Sequence, residues 1–109
     1  HAIEAANQYR DYHHGEAVAL GMRAAAAISR RIGLLKSAQA DKINSLISKA
    51  GLPEKLRRVS LAAILKHMEH DKKFKGRTNR FVLAAAIGSV RVTEGINRKI
   101  IVSALEGLR

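Results

Sequence analysis

The 109-residue sequence has no cysteine, no tryptophan, a single proline, four aromatic residues in all, and nine acidic residues against twenty Lys and Arg. Without cysteine there is no disulfide framework, no thiolate metal cluster and no cysteine nucleophile, so any metal chemistry must use His, Asp or Glu. The longest uninterrupted apolar runs, residues 24–28 and 81–87, fall far short of the roughly 20 residues that cross a bilayer. The opening residues carry no signal-peptide pattern. What is present suits one globular domain over residues 1–109: 47% of the chain is apolar and 27% charged, enough for a modest core and unlike a disordered chain. The formal net charge is +11 with the five histidines neutral. The chain opens on a run of good helix formers, His1-Ala-Ile-Glu-Ala-Ala, with no capping residue before them. Uncapped first amides are usually avoided, so the expectation is a piece of something longer.

Hydrophobic spacing predicts a mainly α-helical, bundle-like domain. A long, central, buried helix is expected over residues 15–32, with Val18, Gly21, Ala25, Ile28 and Ile32 on its inner face and Gly33 as its stop. Its small residues, Gly21 and residues 24–27, would let a neighbouring backbone approach closely. Ser37 or Asp41 is the expected cap of the next helix, which carries Ile43, Leu46, Ile47 and Ala50 and ends at Gly51-Leu52-Pro53. Pro53 suits the first turn of a short helical segment through Val59. Ser60 is the expected cap of a helix over about residues 61–73, striped with Leu61, Ile64, Leu65 and Met68. Two β-favouring runs, Phe81-Val82-Leu83 and Val90-Arg91-Val92, flank Gly88 and predict one small hairpin near residues 81–92. Residues 94–108 return to helical spacing through Ile96, Ile100, Ile101, Ala104, Leu105 and Leu108. No repeat or linker divides the chain.

The densest polar cluster, Tyr12-His13-His14-Gly15-Glu16, stands at the entrance to the long helix, and helix N-termini attract anions. His1 and Glu4 lie on the preceding segment, so two helices could bring imidazoles and a carboxylate to one cleft. The residues leave open the plainer reading, exposed histidines at a turn, because three-His metal constellations are rarer than solvated histidines.

Two motifs go further. His1-Ala-Ile-Glu-Ala, followed by the run from His14 through Gly15-Glu16-Ala17-Val18-Ala19-Leu20-Gly21 to Met22, resembles the signature of the 3-dehydroquinate synthase family. Ala50-Gly51-Leu52-Pro53, Met68 with Asp71-Lys72-Lys73, Arg80-Phe81-Val82-Leu83 and Ile87-Gly88 follow in the family's order, so the resemblance covers essentially the whole chain. It implies the helical C-terminal domain of a two-domain cytoplasmic enzyme, homodimeric when intact, whose N-terminal half is a Rossmann-like domain holding NAD. By that resemblance His14 is one of three ligands to zinc, for which cobalt can substitute, and the other two, a Glu and a His, lie upstream of this sequence. The upstream ligand His sits four residues before the position of His1. His1 itself matches a different active-site histidine, one that contacts substrate without binding metal. Lys72 matches a lysine that binds an anionic group of the substrate, with Lys73 the open alternative. Glu4 and Glu16 would support the site by orienting imidazoles. The family reaction takes the phosphorylated seven-carbon sugar acid DAHP to 3-dehydroquinate in the shikimate pathway, by oxidation, phosphate elimination, reduction and aldol closure with NAD regenerated. The fragment alone is expected to have no turnover.

The sequence also departs from the family. His13 stands where an apolar residue is common and is read as solvated. Asn7-Gln8-Tyr9-Arg10-Asp11 replaces a turn that usually contains glycine. Other sugar phosphate cyclases share the architecture and metal site, so a different carbocyclic product is an alternative. His67 and His70, three apart beside Asp71, have a spacing that can hold a metal but are read as a solvated face. The basic excess could be a nucleic-acid footprint, yet no stacking platform or recognised DNA-binding motif accompanies it. Nucleic-acid binding is therefore the runner-up; a phosphorylated, carboxylated substrate explains part of the charge.

Overall fold

In the computed structural model the chain forms α1 (Ala2–Ala6), α2 (His14–Arg31), α3 (Ser37–Lys49), α4 (Leu61–Lys75), β1 (Arg80–Ala86), β2 (Ser89–Glu94) and α5 (Arg98–Glu106). The structure describes the backbone of residues 1–75 and 78–109 and the side chains of residues 1–71 and 78–109. The expected mainly α architecture with one small hairpin is what forms. The hub is α2, which packs against α1, α3, α5 and β1. Its inward stripe is Ala17, Leu20, Ala24 and Ile28, joined in the core by Ile64 of α4, Leu83 of β1, and Ile101, Ala104 and Leu105 of α5. Leu20, Ile28, Ile64 and Leu83 are almost fully buried, the kind of position where truncation to Ala costs about 2–5 kcal/mol.

The face assigned to α2 from spacing is rotated relative to the one observed. Val18 and Ile32 are exposed, Gly21 and Ala25 half-buried, and only Ile28 of the expected stripe is in the core. So many alanines surround the stripe that spacing alone does not orient the helix. Nor does Gly21 admit a neighbouring backbone, since a Cβ built there meets nothing within 4 Å; the small residues open onto a cavity instead. After α2 the chain turns at Gly33, whose φ of +78° suits glycine, and the Leu34 and Leu35 amides return to the Ser29 carbonyl.

Three further boundaries differ from expectation. Helix α3 takes Lys36 as its N-cap with no side-chain cap bond, so neither Ser37 nor Asp41 caps it. Its Leu46 points to solvent, 69% exposed. Residues 53–59 are irregular because their backbone groups serve tertiary partners: the Pro53 carbonyl accepts from Arg23, both Arg57 groups bind Tyr12, and the Leu56 amide donates to the Leu108 carbonyl at 2.6 Å. The last helix starts at Arg98 because β2 continues to Glu94 and Asn97 supplies the cap, its Oδ1 accepting from the Lys99 amide at 2.8 Å. Ser60 caps α4 as expected, accepting from the Ala63 amide at 3.0 Å.

The hairpin is antiparallel, with Val82 opposite Val92 and Ala84 opposite Val90, an irregularity between Ala84 and Ala86, and Gly88 at φ +88° in its turn. Leu83 faces the core, whereas Val82, Val90 and Val92 are exposed on the other face. The buried Ser29 hydroxyl donates to the Ala84 carbonyl and ties β1 to α2.

Candidate functional site

The polar cluster seen in the sequence lies where α1 meets α2. Helix α2 starts at His14 because the Glu16 carboxylate accepts from the His13 amide at 2.9 Å, satisfying one of the donors left open at a helix start. That bond commits Glu16 to the backbone, so of the two expected supporting carboxylates it is Glu4 that meets an imidazole. Helix α1 turns Glu4 toward α2, and Glu4 Oε1 lies 2.9 Å from His14 Nδ1. The Glu4 side chain is 12% exposed and that of His14 71%. A carboxylate can only accept, so Nδ1 is the donor and the lone pair of the neutral ring is on Nε2. The pair is therefore an oriented imidazole with one nitrogen held by an acid and the other available to a ligand.

His1, Glu4 and His14 together line a cavity of about 400 Å³. Val18, Gly21 and Ala25 form its α2 wall, and Ile64, Met68, Phe81 and Leu105 complete its apolar lining. The small α2 residues thus acquire a purpose that spacing did not show: they leave room beside the histidines. A larger open cleft of about 930 Å³ shares His1, Met68 and Phe81 with the first and adds His67, Asp71, Asn79 and Arg80. His1, at the N-cap of α1, is common to both. An apolar cavity with a few convergent polar groups is the usual form of a small-molecule site.

The structure brings His1 and His14 to one cavity. Lys72 and Lys73 belong to α4, the helix that borders the larger cleft through His67, Met68 and Asp71, and their side chains lie outside the described residues. His13 is exposed, in keeping with the solvated reading. His67 reaches the cleft while His70 faces solvent. Among the described residues no group of three or more His, Asp or Glu is gathered to hold a metal ion. The donor set fits one imidazole ligand contributed to a site that needs ligands from elsewhere, and Glu4 on Nδ1 is the carboxylate–histidine arrangement that metal-binding histidines favour.

Asn79, which lines the cleft, was not singled out in the sequence, and Arg80, which also lines it, and Asn7 and Tyr12, which organise the α1–α2 connection, entered there only as members of longer stretches with no role of their own. Tyr12 had a signal, since it stands at the edge of the polar cluster. Asn7 stands in the stretch that replaces a glycine-containing turn, but its role is visible only in the fold: its Oδ1 accepts from the Asp11 amide at 2.8 Å.

Comparison with known proteins agrees with the motifs. The family model described as 3-dehydroquinate synthase C-terminal matches residues 1–74. A 3-dehydroquinate synthase of Acidithiobacillus ferrooxidans is 45% identical over 93 residues, which is 85% of this chain and 26% of that protein. Those of Nostoc punctiforme and a Picosynechococcus species are 41% and 39% identical over 99% and 96% of this chain, covering 30% and 29% of their own lengths. The chain therefore spans between a quarter and a third of the length of these relatives.

Proposed function

Because the chain belongs to the 3-dehydroquinate synthase C-terminal family, we propose that it is the helical, metal- and substrate-binding part of an enzyme that converts DAHP to 3-dehydroquinate with loss of phosphate. NAD would be held mainly by an N-terminal domain of the same enzyme, and the intact enzyme would be a cytoplasmic homodimer. The observation that carries the reading is the Glu4–His14 pair, 2.9 Å apart at a cavity that His1 also lines.

In this reading His14 offers Nε2 to zinc while Glu4 holds Nδ1, fixing the ring's tautomer and its direction. Zinc, when bound, supplies Lewis-acid polarisation of a substrate hydroxyl. His1 contacts substrate from the shared wall of the two cavities, donating or accepting a proton at a ring nitrogen. Lys72 binds an anionic substrate group by charge-assisted hydrogen bonds. The apolar lining from Ile64, Met68 and Phe81 keeps water from that side of the bound molecule, which strengthens each polar contact.

The test uses the full-length enzyme that contains this domain. His14→Ala should lose zinc and nearly all turnover, because deleting an imidazole opens the metal shell. Lys72→Ala should retain zinc and raise KM, by about 1.5–3 kcal/mol for each charge-assisted bond lost. Full zinc content and normal kinetics on DAHP in His14→Ala would overturn the reading; a defect in Lys73→Ala in place of Lys72→Ala would move the lysine role by one residue.

A further inference from the structure

Helix α1 has only five residues, too few to be stable alone in water; Ile3 anchors it in the core and it packs against α4, while the connection to α2 sets how Glu4 meets His14. The connection between α1 and α2 is strained. Among the described residues the non-glycine positions with positive φ are Gln8 at 57°, Tyr9 at 56° and Arg58 at 57°, and all three meet at this junction. Each such residue is strained and persists only where its surroundings over-determine it.

Those surroundings converge on one hydroxyl. Tyr12 Oη donates to the Arg57 carbonyl at 2.8 Å and accepts from the Arg57 amide at 2.6 Å, a two-point contact that fixes both position and direction. The residue before Arg57 is anchored independently, through the Leu56 amide on the Leu108 carbonyl, so Tyr12 ties the connection to a fixed point. Within the connection the Asp11 amide donates to Asn7 Oδ1 at 2.8 Å and the Tyr9 amide to the Glu4 carbonyl at 3.0 Å, but the other contacts from the connection to Arg58 are weak: Asn7 Nδ2 reaches the Arg58 carbonyl at 3.4 Å, and the Arg58–Asp11 ion pair is 3.9 Å long and exposed, a class that contributes little. The tether attaches two residues before His14.

We propose that Tyr12 is a positioning residue for the Glu4–His14 pair: its hydroxyl, bonded to both backbone groups of Arg57, holds the strained α1–α2 connection in the one conformation that presents the Glu4 carboxylate to His14 Nδ1. The consequence for metal affinity rests on the proposed role of His14 as a ligand; the consequence for the pair's geometry does not.

The experiment uses the full-length enzyme that contains this domain, freed of metal, with Tyr12→Phe, which keeps the ring and removes the hydroxyl. With the rings neutral and no metal added, two-bond proton–nitrogen correlation spectra read which nitrogen of His14 carries the proton. The native chain should show the Nδ1–H form predominating, Glu4→Gln should abolish that preference, and Tyr12→Phe should reduce it towards a mixture. Adding Gln8→Gly to Tyr12→Phe should restore it, because glycine adopts the left-handed conformation without strain. Asn97→Ala, which removes the α5 cap and touches neither Tyr12 nor the α1–α2 connection, should leave the His14 signals native. A native tautomer in Tyr12→Phe, or an equal change in Asn97→Ala, would overturn the proposal. Zinc titration of the same variants in the full-length enzyme that contains this domain forms a second arm, in which Tyr12→Phe should bind several-fold more weakly than the native enzyme. A shifted tautomer in Tyr12→Phe together with native zinc binding in His14→Ala supports the positioning role and overturns the metal reading.

Discussion

Replacing Arg23 with Met removes the one charged side chain that α2 buries. Arg23 is 9% exposed, and its guanidinium is spent on holding three separate pieces of chain together. Nε donates to the Pro53 carbonyl at 3.2 Å, and Nη2 donates to the Asn44 carbonyl at 3.3 Å and to Ser48 Oγ at 2.6 Å. The Glu54 carboxylate, 4.0 Å away and 61% exposed, adds little to this. Three charge-assisted bonds at about 1.5–3 kcal/mol each set an upper bound. Against them stands the cost of burying the guanidinium, several kcal/mol, which Met avoids. The difference leaves a destabilisation of about 3 kcal/mol, dominated by the acceptors of α3 and the Pro53 segment that lose their donor. At about 4–8 °C per kcal/mol for a domain near this size, the melting temperature should fall by about 12–24 °C. Urea unfolding followed by circular dichroism measures the change directly. Arg23→Lys, a point charge that cannot span three acceptors, should fall between the two. A loss below about 0.5 kcal/mol in Arg23→Met would refute the reasoning, since it would place the network within the range of ordinary surface substitutions.

Gly21→Ala should raise stability by up to about 1 kcal/mol, because the site is inside α2 with open space around the new methyl group; a lower melting temperature would show that the cavity beside it is closed. Ser29→Ala should cost about 1–3 kcal/mol in urea unfolding, because the buried Ala84 carbonyl loses its donor from α2. Raising NaCl from about 0.01 to 0.15 M shortens the screening length from about 30 to 8 Å and should raise the melting temperature of a chain with net charge +11. A fall over that range would mean that the ion pairs outweigh the self-repulsion.

The elements were legible in the sequence wherever the signal was local. Ser60 and the stripe Ile64, Leu65, Met68 predict α4, and the two short valine-containing runs around Gly88 predict the hairpin, whose register, Val82 opposite Val92, is read from the structure. Which face of a helix turns inward is a different kind of information. For α2 the alanines at 24–27 make several faces nearly equivalent in hydrophobicity, and the choice falls to neighbours distant in sequence, Leu83 and Ile101 among them. Residues 53–59 fail for the same reason. Pro53 is compatible with a helix start, but the Leu56 and Arg57 amides are taken by Leu108 and Tyr12, and a backbone donor used elsewhere cannot close a helical turn.

The site shows where sequence-local reasoning stops and geometry takes over. His1 and His14 were found through motifs, and the structure places them at one cavity, 13 residues apart in sequence. Glu4 and Glu16 looked equivalent, two acids flanking an imidazole, yet their distance from the helix start separates them. Glu16 is the third residue of α2 and within reach of the His13 amide, so the backbone claims it. Glu4 has turned with α1 and faces the His14 ring across the connection. That connection lacks the glycine its backbone calls for. Gln8 and Tyr9 hold left-handed conformations that neither residue favours, so the turn cannot be read from its own composition. Its cause lies with Tyr12 and Arg57, 45 positions apart in sequence. A carboxylate becomes the partner of a particular imidazole here through a tether whose other end belongs to a different part of the fold.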